Sequence, residues 1–79
     1  MKVVFFAQSR QAAGCGEWQL EAAHALTIPE FWARLRVAFP ALGPLEKTAR
    51  LARREAYLLP GEQIEPRDEI AVLPPVSGG

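Results

Sequence analysis

One amphipathic helix, from Thr27 to Phe39, constrains the fold of this chain more than any other feature of its sequence. Thr27 precedes Glu30 by three residues, which is the pattern of a capping box at a helix N-terminus. Pro29 falls in the first turn, where its missing N–H costs little. Pro40 ends the helix, because proline disfavours helical geometry at the residue before it. Apolar side chains recur at the spacing of one helical face: Ile28, Phe31, Trp32, Leu35 and Phe39.

The segments around this helix predict short β-strands. They are residues 2–7, 17–22, 49–53, 56–59 and 69–73. Residues 2–7 are apolar on both faces, which is typical of a strand covered on both sides. Residues 17–22 alternate between apolar and polar side chains, as a half-buried hairpin partner does. For residues 49–59 a helix is the alternative, since Ala, Arg, Leu and Glu favour helices. We favour two strands there, joined by a tight turn near Arg54 and Glu55.

The segments between these elements are predicted to be connections. Residues 8–16 indicate a connector that can contain one helical turn and is closed by Gly14 and Gly16. Residues 40–48 indicate a loop, and residues 62–69 a polar segment whose one apolar anchor is Ile64. The resulting order is β-β-α-β-β-β. It places the chain in the α+β class, with a mixed β-sheet covered by one main helix.

Length and charge exclude several classes of protein. A chain of 79 residues forms one domain, which we place at residues 1–75 with a tail at residues 76–79. Nine basic and nine acidic side chains give zero net charge, which is not the footprint of a nucleic-acid-binding protein. A domain of this size buries only roughly 60% of its unfolded surface. We therefore expect any chemistry at an edge or an end of the domain rather than in a deep cavity.

The first residues predict neither a secretion signal nor a membrane anchor. The apolar run that begins at Val3 lasts five residues before Gln8, which is too short for either. Cys15 is the only cysteine and cannot form an internal disulfide. We therefore expect a cytoplasmic protein with no membrane partner.

Side chains that perform catalysis are scarce in this sequence. Neither His24 nor Cys15 belongs to a cluster with metal-ligand spacing, so we predict no metal site. A basic run indicates a solvated face, with docking of an acidic partner as the alternative. That run comprises Lys47, Arg50, Arg53 and Arg54. We expect the aromatic side chains in the core rather than around a cofactor: Phe5, Phe6, Trp18, Phe31, Trp32 and Phe39.

The C-terminal residues carry the clearest chemical signal. Pro74 and Pro75 stop the last strand, because proline cannot donate ladder hydrogen bonds. Gly78 and Gly79 lack a Cβ, so an extended backbone can pass there through a narrow channel. Such a tail presents the α-carboxylate of Gly79. That carboxylate becomes an acyl donor once ATP adenylates it, and a sulfur nucleophile then converts it to a thiocarboxylate. In this interpretation the domain is bound by a partner enzyme and presents the tail, and the partner supplies the activating groups.

At these residues the chain resembles a known family, the small, sulfur-carrying subunits of molybdopterin synthase (MoaD). The resemblance rests on the segment 68–79, in which an Asp-Glu pair, a hydrophobic strand and Pro-Pro-Val-Ser-Gly-Gly follow one another. Residues 3–7, together with Arg10 and Gly14, are also similar to the family's first strand and connector.

Two local turns depart from the family's pattern. Arg67 stands where the family often has glycine, and Ala52-Arg53-Arg54 stand where it often has Val-Asn. These departures concern the turns and leave the tail untouched.

The resemblance implies a ubiquitin-like β-grasp fold and a non-catalytic, sulfur-donating role in molybdenum cofactor biosynthesis. It implies that an E1-like adenylyltransferase uses ATP to adenylate Gly79 and that a sulfurtransferase supplies the sulfur of the thiocarboxylate. The tail would then enter the large synthase subunit, within a heterotetramer, and donate sulfur to cyclic pyranopterin monophosphate. This chain itself would bind no cofactor.

By position, the resemblance also implies a docking patch near the tail. Its residues are Phe6, Arg10, Tyr57 and Leu73, followed by Pro74, Pro75, Val76 and Ser77. Three alternatives stay open. A ubiquitin-like modifier that forms isopeptide bonds would use the same Gly79. A sulfur carrier for another thio-compound pathway would share the fold and the Gly-Gly end. A plain interaction domain would carry an inert tail.

Overall fold

A computed structural model describes residues 1–75 of the chain. The strands are β1 (Lys2–Phe5), β2 (Glu17–Gln19), β3 (Leu26–Thr27), β4 (Arg50–Arg53), β5 (Ala56–Tyr57), β6 (Gln63–Ile64) and β7 (Glu69–Leu73). The helices are α1 (Ala7–Ala13), α2 (Ile28–Ala38) and a 3₁₀ helix (Pro40–Leu45).

Five strands form a mixed sheet in the order β2-β1-β7-β4-β5. β1 and β7 pair in parallel, with Lys2 opposite Glu69 and Phe5 opposite Val72. The other neighbours in this sheet pair antiparallel. β3 and β6 form a separate two-stranded sheet, also antiparallel. The prediction of an α+β fold with a mixed sheet is confirmed. The last strand of the chain, β7, is hydrogen-bonded to a neighbouring strand on each side.

The hydrophobic core lies between one face of the main sheet and α2. The sheet contributes Val3, Phe5, Leu51, Ile70 and Val72, and α2 contributes Phe31, Trp32 and Leu35. Side chains alternate between the two faces of a strand, so neighbouring residues of the same strands lie on the opposite face. No helix covers that second face in the described part of the chain. We call it the open face.

The capping box predicted for α2 is present. The Glu30 N–H donates to Thr27 Oγ1 at 3.2 Å, and the Thr27 N–H donates to Glu30 Oε1 at 2.8 Å. The bond from the Thr27 backbone lowers the pKa of the Glu30 carboxyl, and the bond with the Thr27 side chain adds to this. The helix ends at Ala38, before Phe39 and Pro40, as the sequence predicts.

The predicted connector over residues 8–16 is wrong, because a helix of seven residues, α1, fills most of it. Ala, Gln and Arg favour helices, and the helix is too short to show a clear apolar period. Gly14 ends it in the left-handed conformation, with φ 77°, and its N–H donates to the Arg10 carbonyl at 2.9 Å. The predicted loop over residues 40–48 contains the 3₁₀ helix.

The two strands predicted within residues 49–59 are confirmed as β4 and β5. Both turn residues between them, Arg54 and Glu55, have positive φ, 53° and 67°. The sequence did not predict the small sheet of β3 and β6, since strands of two residues carry no periodicity. Ile64, the predicted apolar anchor, is completely buried there.

The expectation that β1 is covered on both sides is wrong. Lys2 is exposed and Val4 is only half-buried, because both lie on the open face. Phe6, expected in the core, is 46% exposed. The sequence shows that Val4 and Phe6 are apolar, but it does not show that α2 covers only one face of the sheet.

Candidate functional site

The candidate site lies where β7 ends. β7 runs through the middle of the sheet and stops at Leu73, and the exposed Pro74 and Pro75 follow it. Leu73 is half-buried on the open face. The predicted site residues Val76, Ser77, Gly78 and Gly79 lie outside the described residues.

Three of the predicted docking residues lie on the open face of the main sheet: Phe6, Leu73 and Tyr57. Phe6 directly follows Phe5, which pairs with Val72, so Phe6 lies beside Leu73 at the end of the parallel pair. The Phe6 N–H donates to the Val72 carbonyl at 3.3 Å, which extends this pairing by one bond. Tyr57 lies on the same face and is 43% exposed.

Small side chains separate Tyr57 from β1 across the sheet. Tyr57 pairs with Ala52, Ala52 pairs with Ala71, and Ala71 pairs with Val4. Paired residues in neighbouring strands share a face. The small side chains of Ala52 and Ala71 therefore form a shallow stretch between Tyr57 and Val4. Two exposed aromatic rings on one sheet face are typical of an interaction surface.

Arg10 lies at the same end of the sheet but on α1. Its guanidinium group lies beside Gly16. A Cβ added to that glycine would be 3.6 Å from the guanidinium carbon. Gly16 in turn precedes β2 and accepts a hydrogen bond from the Phe5 N–H at 2.9 Å. Arg10 is exposed and therefore available at the rim of the candidate site.

Ser9 is a structural residue of this site that sequence reasoning missed. It is 2% exposed, and it is the one polar residue that is fully buried among residues 1–75. Its hydroxyl accepts the Phe6 N–H at 3.1 Å and lies 2.8 Å from the Phe6 carbonyl and 2.9 Å from the Val72 carbonyl. Ser9 thus fastens the start of α1 to the end of β7. A serine in the first turn of a helix is the only signal that could have indicated it.

The basic run does not form one surface. Arg53 is largely enclosed and donates to Asp68 Oδ2 at 2.8 Å and to Glu62 Oε1 at 3.0 Å. Burial raises the pKa of Asp68, but the Glu65 N–H, Arg53 and Arg54 outweigh burial and hold that pKa below its ordinary value. Arg53 is therefore engaged by carboxylates of its own chain, whereas Arg54 is exposed in the turn between β4 and β5.

Two other residues singled out by the sequence lie apart from this site. His24 is exposed, and Cys15 is half-buried against the core. Within residues 1–75, no three His, Cys, Asp or Glu side chains come together as a metal-binding group would require. Neither α1 nor α2 combines the length and the apolar character that crossing a bilayer requires.

Comparisons with known proteins place this geometry in a family. The model of the ThiS family matches residues 3–79. The molybdopterin synthase sulfur carrier subunit of Chlamydomonas reinhardtii is 36% identical over 81 residues, covering 100% of this chain and 98% of that protein. The subunit of the same name from Arabidopsis thaliana is 32% identical, covering 100% of this chain and 82% of that protein. The crystal structure of SAMP1, small archaeal modifier protein 1, from Haloferax volcanii superposes with a TM-score of 0.79 at 28% identity, covering 100% of this chain and 98% of that chain. The predicted β-grasp fold is confirmed by this likeness.

Proposed function

The chain belongs to the ThiS family, among the sulfur carrier subunits of molybdopterin synthase, and we propose that the α-carboxylate of Gly79 carries the sulfur. One observation carries the proposal. The central strand β7 ends at the half-buried Leu73, beside the exposed Phe6 of the open face, and Pro74 and Pro75 connect this strand to the Gly-Gly end of the sequence. The proposed reactive group therefore follows, in sequence, a central strand that ends at a surface suited to docking.

The proposed chemistry takes place on partners rather than on this chain. An E1-like adenylyltransferase joins the Gly79 carboxylate to the AMP moiety of ATP and releases pyrophosphate. A sulfur nucleophile at the oxidation level of hydrosulfide, supplied by a sulfurtransferase, attacks the acyl carbon. AMP leaves with the electron pair of the broken C–O bond, and the product is a C-terminal thiocarboxylate. ATP is used by the activating partner, and this chain holds no cofactor in the proposed scheme.

The proposed acceptor is cyclic pyranopterin monophosphate, held by the large subunit of the synthase. The thiocarboxylate sulfur attacks a carbon of the acceptor, and a carbon–oxygen bond of the acceptor breaks with its electron pair leaving on oxygen. Water then attacks the acyl carbon of the resulting thioester, the acyl C–S bond breaks with its electron pair on sulfur, and the Gly79 carboxylate is regenerated. Since the product carries two sulfur atoms in its dithiolene, two loaded carriers are consumed for each molecule made. A heterotetramer with two small subunits is in keeping with this requirement.

Intact mass spectrometry tests the carrier chemistry directly. The chain is incubated with ATP, the host's E1-like enzyme and a sulfur donor, and the mass of the C-terminal glycine is located by fragmentation. We expect one oxygen of Gly79 to be replaced by sulfur. A chain that lacks Gly79 is the control and should remain unchanged. An unmodified full chain beside an activating enzyme shown to be active would contradict the proposal.

A Gly78→Val variant tests whether the end of the tail must pass a narrow channel. We expect it to melt at the wild-type temperature and to lose sulfur transfer, because an added side chain blocks the passage of the backbone. The measurement is molybdopterin formation by the reconstituted synthase. Unimpaired product formation by this variant would remove the channel from the proposal.

A Leu73→Arg variant tests docking on the open face. Leu73 is half-buried beside Phe6, so a charge there disrupts an apolar contact while remaining compatible with the folded sheet. We expect the affinity for the large subunit to fall by a factor of ten or more, with a thermal melt close to that of the wild type. Phe6→Arg should behave alike. Wild-type affinity for both variants would place the docking surface elsewhere.

A protein modifier is the second candidate, favoured by the likeness to SAMP1 of Haloferax volcanii. A modifier uses the same activated Gly79, but the acceptor is a lysine amine rather than a sulfur nucleophile. The distinguishing measurement is a search for peptides in which Gly79 is joined to a lysine side chain, after activation in the presence of host proteins. Such adducts, without a thiocarboxylate, would favour the modifier.

A further inference from the structure

The charges on the open face are unevenly distributed along the strands. β1 and β7 are parallel, so Lys2 and Glu69 lie at one end of the face, while Phe6 and Leu73 lie at the other. Four residue steps at about 3.3 Å separate the two ends by about 13 Å. This exceeds the screening length of about 8 Å at physiological ionic strength. The two ends therefore present their charges to a partner separately.

The charges at the end at which the strands begin are balanced. Lys2 Nζ lies 3.7 Å from Glu17 Oε1 and 3.7 Å from Glu69 Oε1. The N-terminal ammonium of Met1 lies at the same end, where it donates to the Leu20 and Pro66 carbonyls. These two cations offset the two carboxylates, so these groups leave no net charge at this end.

The end at which the tail begins is positive. Arg50 pairs with Leu73 across the antiparallel β4–β7 ladder, which places its side chain on the open face. Its guanidinium carbon lies 4.7 Å from the centre of the Tyr57 ring. The ring positions the guanidinium without neutralising it, and Arg50 has no ion-pair partner among residues 1–75. Arg10 adds a second exposed cation at this end.

The structure also explains why Arg50 differs from the other members of the basic run. Arg53 is engaged by Asp68 and Glu62, and Arg54 lies in the turn between β4 and β5, outside the strands. Lys47 lies in the turn after the 3₁₀ helix, outside the sheet. Only Arg50 combines a place in the sheet, a position beside Leu73 and an aromatic support.

We propose that Arg50, supported by Tyr57, is a specificity-determining cation of the open face, which pairs with a carboxylate of the large subunit at the entrance to its tail site. The proposal rests on the proposed function, in which Leu73 and the tail dock there. A guanidinium matches a carboxylate through two parallel hydrogen bonds, so the partner surface is acidic next to the tail. Because the charges at the opposite end are balanced, the cation beside Leu73 favours one orientation on the partner, with Gly79 towards the acceptor.

Association kinetics of the full chain with the purified large subunit test this proposal. For Arg50→Glu we expect the association rate constant to fall about tenfold at 50 mM salt, because attraction becomes repulsion. At 0.5 M salt the difference should shrink to about twofold or less, since screening removes the long-range part. Arg50→Lys should keep most of the rate. Lys47→Glu makes the same change of charge outside the sheet and should stay within about twofold of the wild type.

A thermal melt of each variant accompanies the kinetics, and Arg50→Gln replaces Arg50→Glu if the latter does not fold. Leu73→Arg separates the two proposals. If Leu73→Arg loses binding and Arg50→Glu keeps the wild-type rate at both salt concentrations, the role of Arg50 is wrong and the docking face stands. If Leu73→Arg binds normally, the proposed docking fails together with the role of Arg50. Equal losses for Arg50→Glu and Lys47→Glu would reduce the effect to net charge and overturn the specific role of Arg50.

Discussion

The two faces of the main sheet are built from the same strands but differ in role: one packs in the core and the other is exposed. On the covered face Val3, Phe5 and Val72 are almost completely buried against the core. On the open face the next residue of the same strand, Phe6, is 46% exposed. Apolar residues lie on both faces, so hydrophobicity alone does not distinguish a residue that stabilises the fold from one available for docking. The position of the residue relative to α2 distinguishes the two.

The largest effect expected from this comparison separates two adjacent phenylalanines. Phe5→Ala should lower the free energy of unfolding by about 3–5 kcal/mol, because it leaves a cavity in the core. Phe6→Ala should change that free energy by less than about 1 kcal/mol and weaken binding of the large subunit instead. Urea unfolding and a binding titration on both variants measure the two quantities. Similar losses of stability in both would show that the faces are not energetically distinct.

Ser9 bonds to Phe6 on the open face and to Val72 on the covered face, at the end of β7. Its replacement should have the next largest effect on stability. Ser9→Ala removes the hydroxyl that bonds to the Phe6 backbone and to the Val72 carbonyl, and loss of the buried bond to Val72 costs about 1–3 kcal/mol. For a domain of this size, each kcal/mol lowers the melting temperature by about 4–8 °C. Gln8→Ala, an exposed neighbour on α1, is the matched control and should melt as the wild type does. A Ser9→Ala variant with an unchanged melt would show that water replaces the hydroxyl.

Asp68 makes the covered side of the sheet sensitive to acid. Its native pKa lies below the ordinary value, so its ionised form stabilises the fold above the unfolded-state pKa. That contribution is lost as the pH falls from about 5 through the native pKa. Asp68→Asn should therefore melt below the wild type at pH 7, and the gap should close towards pH 3. A difference in melting temperature that stays constant from pH 7 to pH 3 would contradict this role of the Asp68 carboxylate.

The turn between β4 and β5 offers the smallest expected effect and changes neither face. Glu55 has φ 67°, in the left-handed region that side chains with a Cβ disfavour. Glu55→Gly should raise stability by about 1 kcal/mol or less, since the relief of strain is partly offset by the added freedom of the unfolded chain. Glu55→Ala keeps the Cβ and should give no gain. A gain from alanine would assign the effect to the charge instead.

The sequence predicts the elements that contain a strong local signal. The capping box defined the start of α2, and Pro40 defined its end, because both act within one turn of the chain. The composition of β4 and β5 favours a helix, so the two strands were predicted against local propensity, and the register with β7 stabilises them. α1 was missed because its seven residues are too few for a period.

The candidate site was predictable in part for the same reason. Pro74, Pro75, Gly78 and Gly79 all fall within the last six residues of the sequence, so the tail could be interpreted without a structure. The pairing of Arg50 with Leu73 joins residues far apart in the chain, and no local pattern indicates it. The bond from Ser9 to Val72 is likewise a tertiary contact. Which face lacks a helix follows only from the packing of α2.

The central place of β7 also has a mechanical consequence. Pulling on Leu73 along the strand, against a hold at the start of β1, loads the parallel β1–β7 ladder in shear, so its bonds resist together rather than opening one by one. β4 grips the other edge of β7 along Ala71 to Leu73. Force applied at Leu73 is therefore borne by a strand that is hydrogen-bonded to a neighbour on each side.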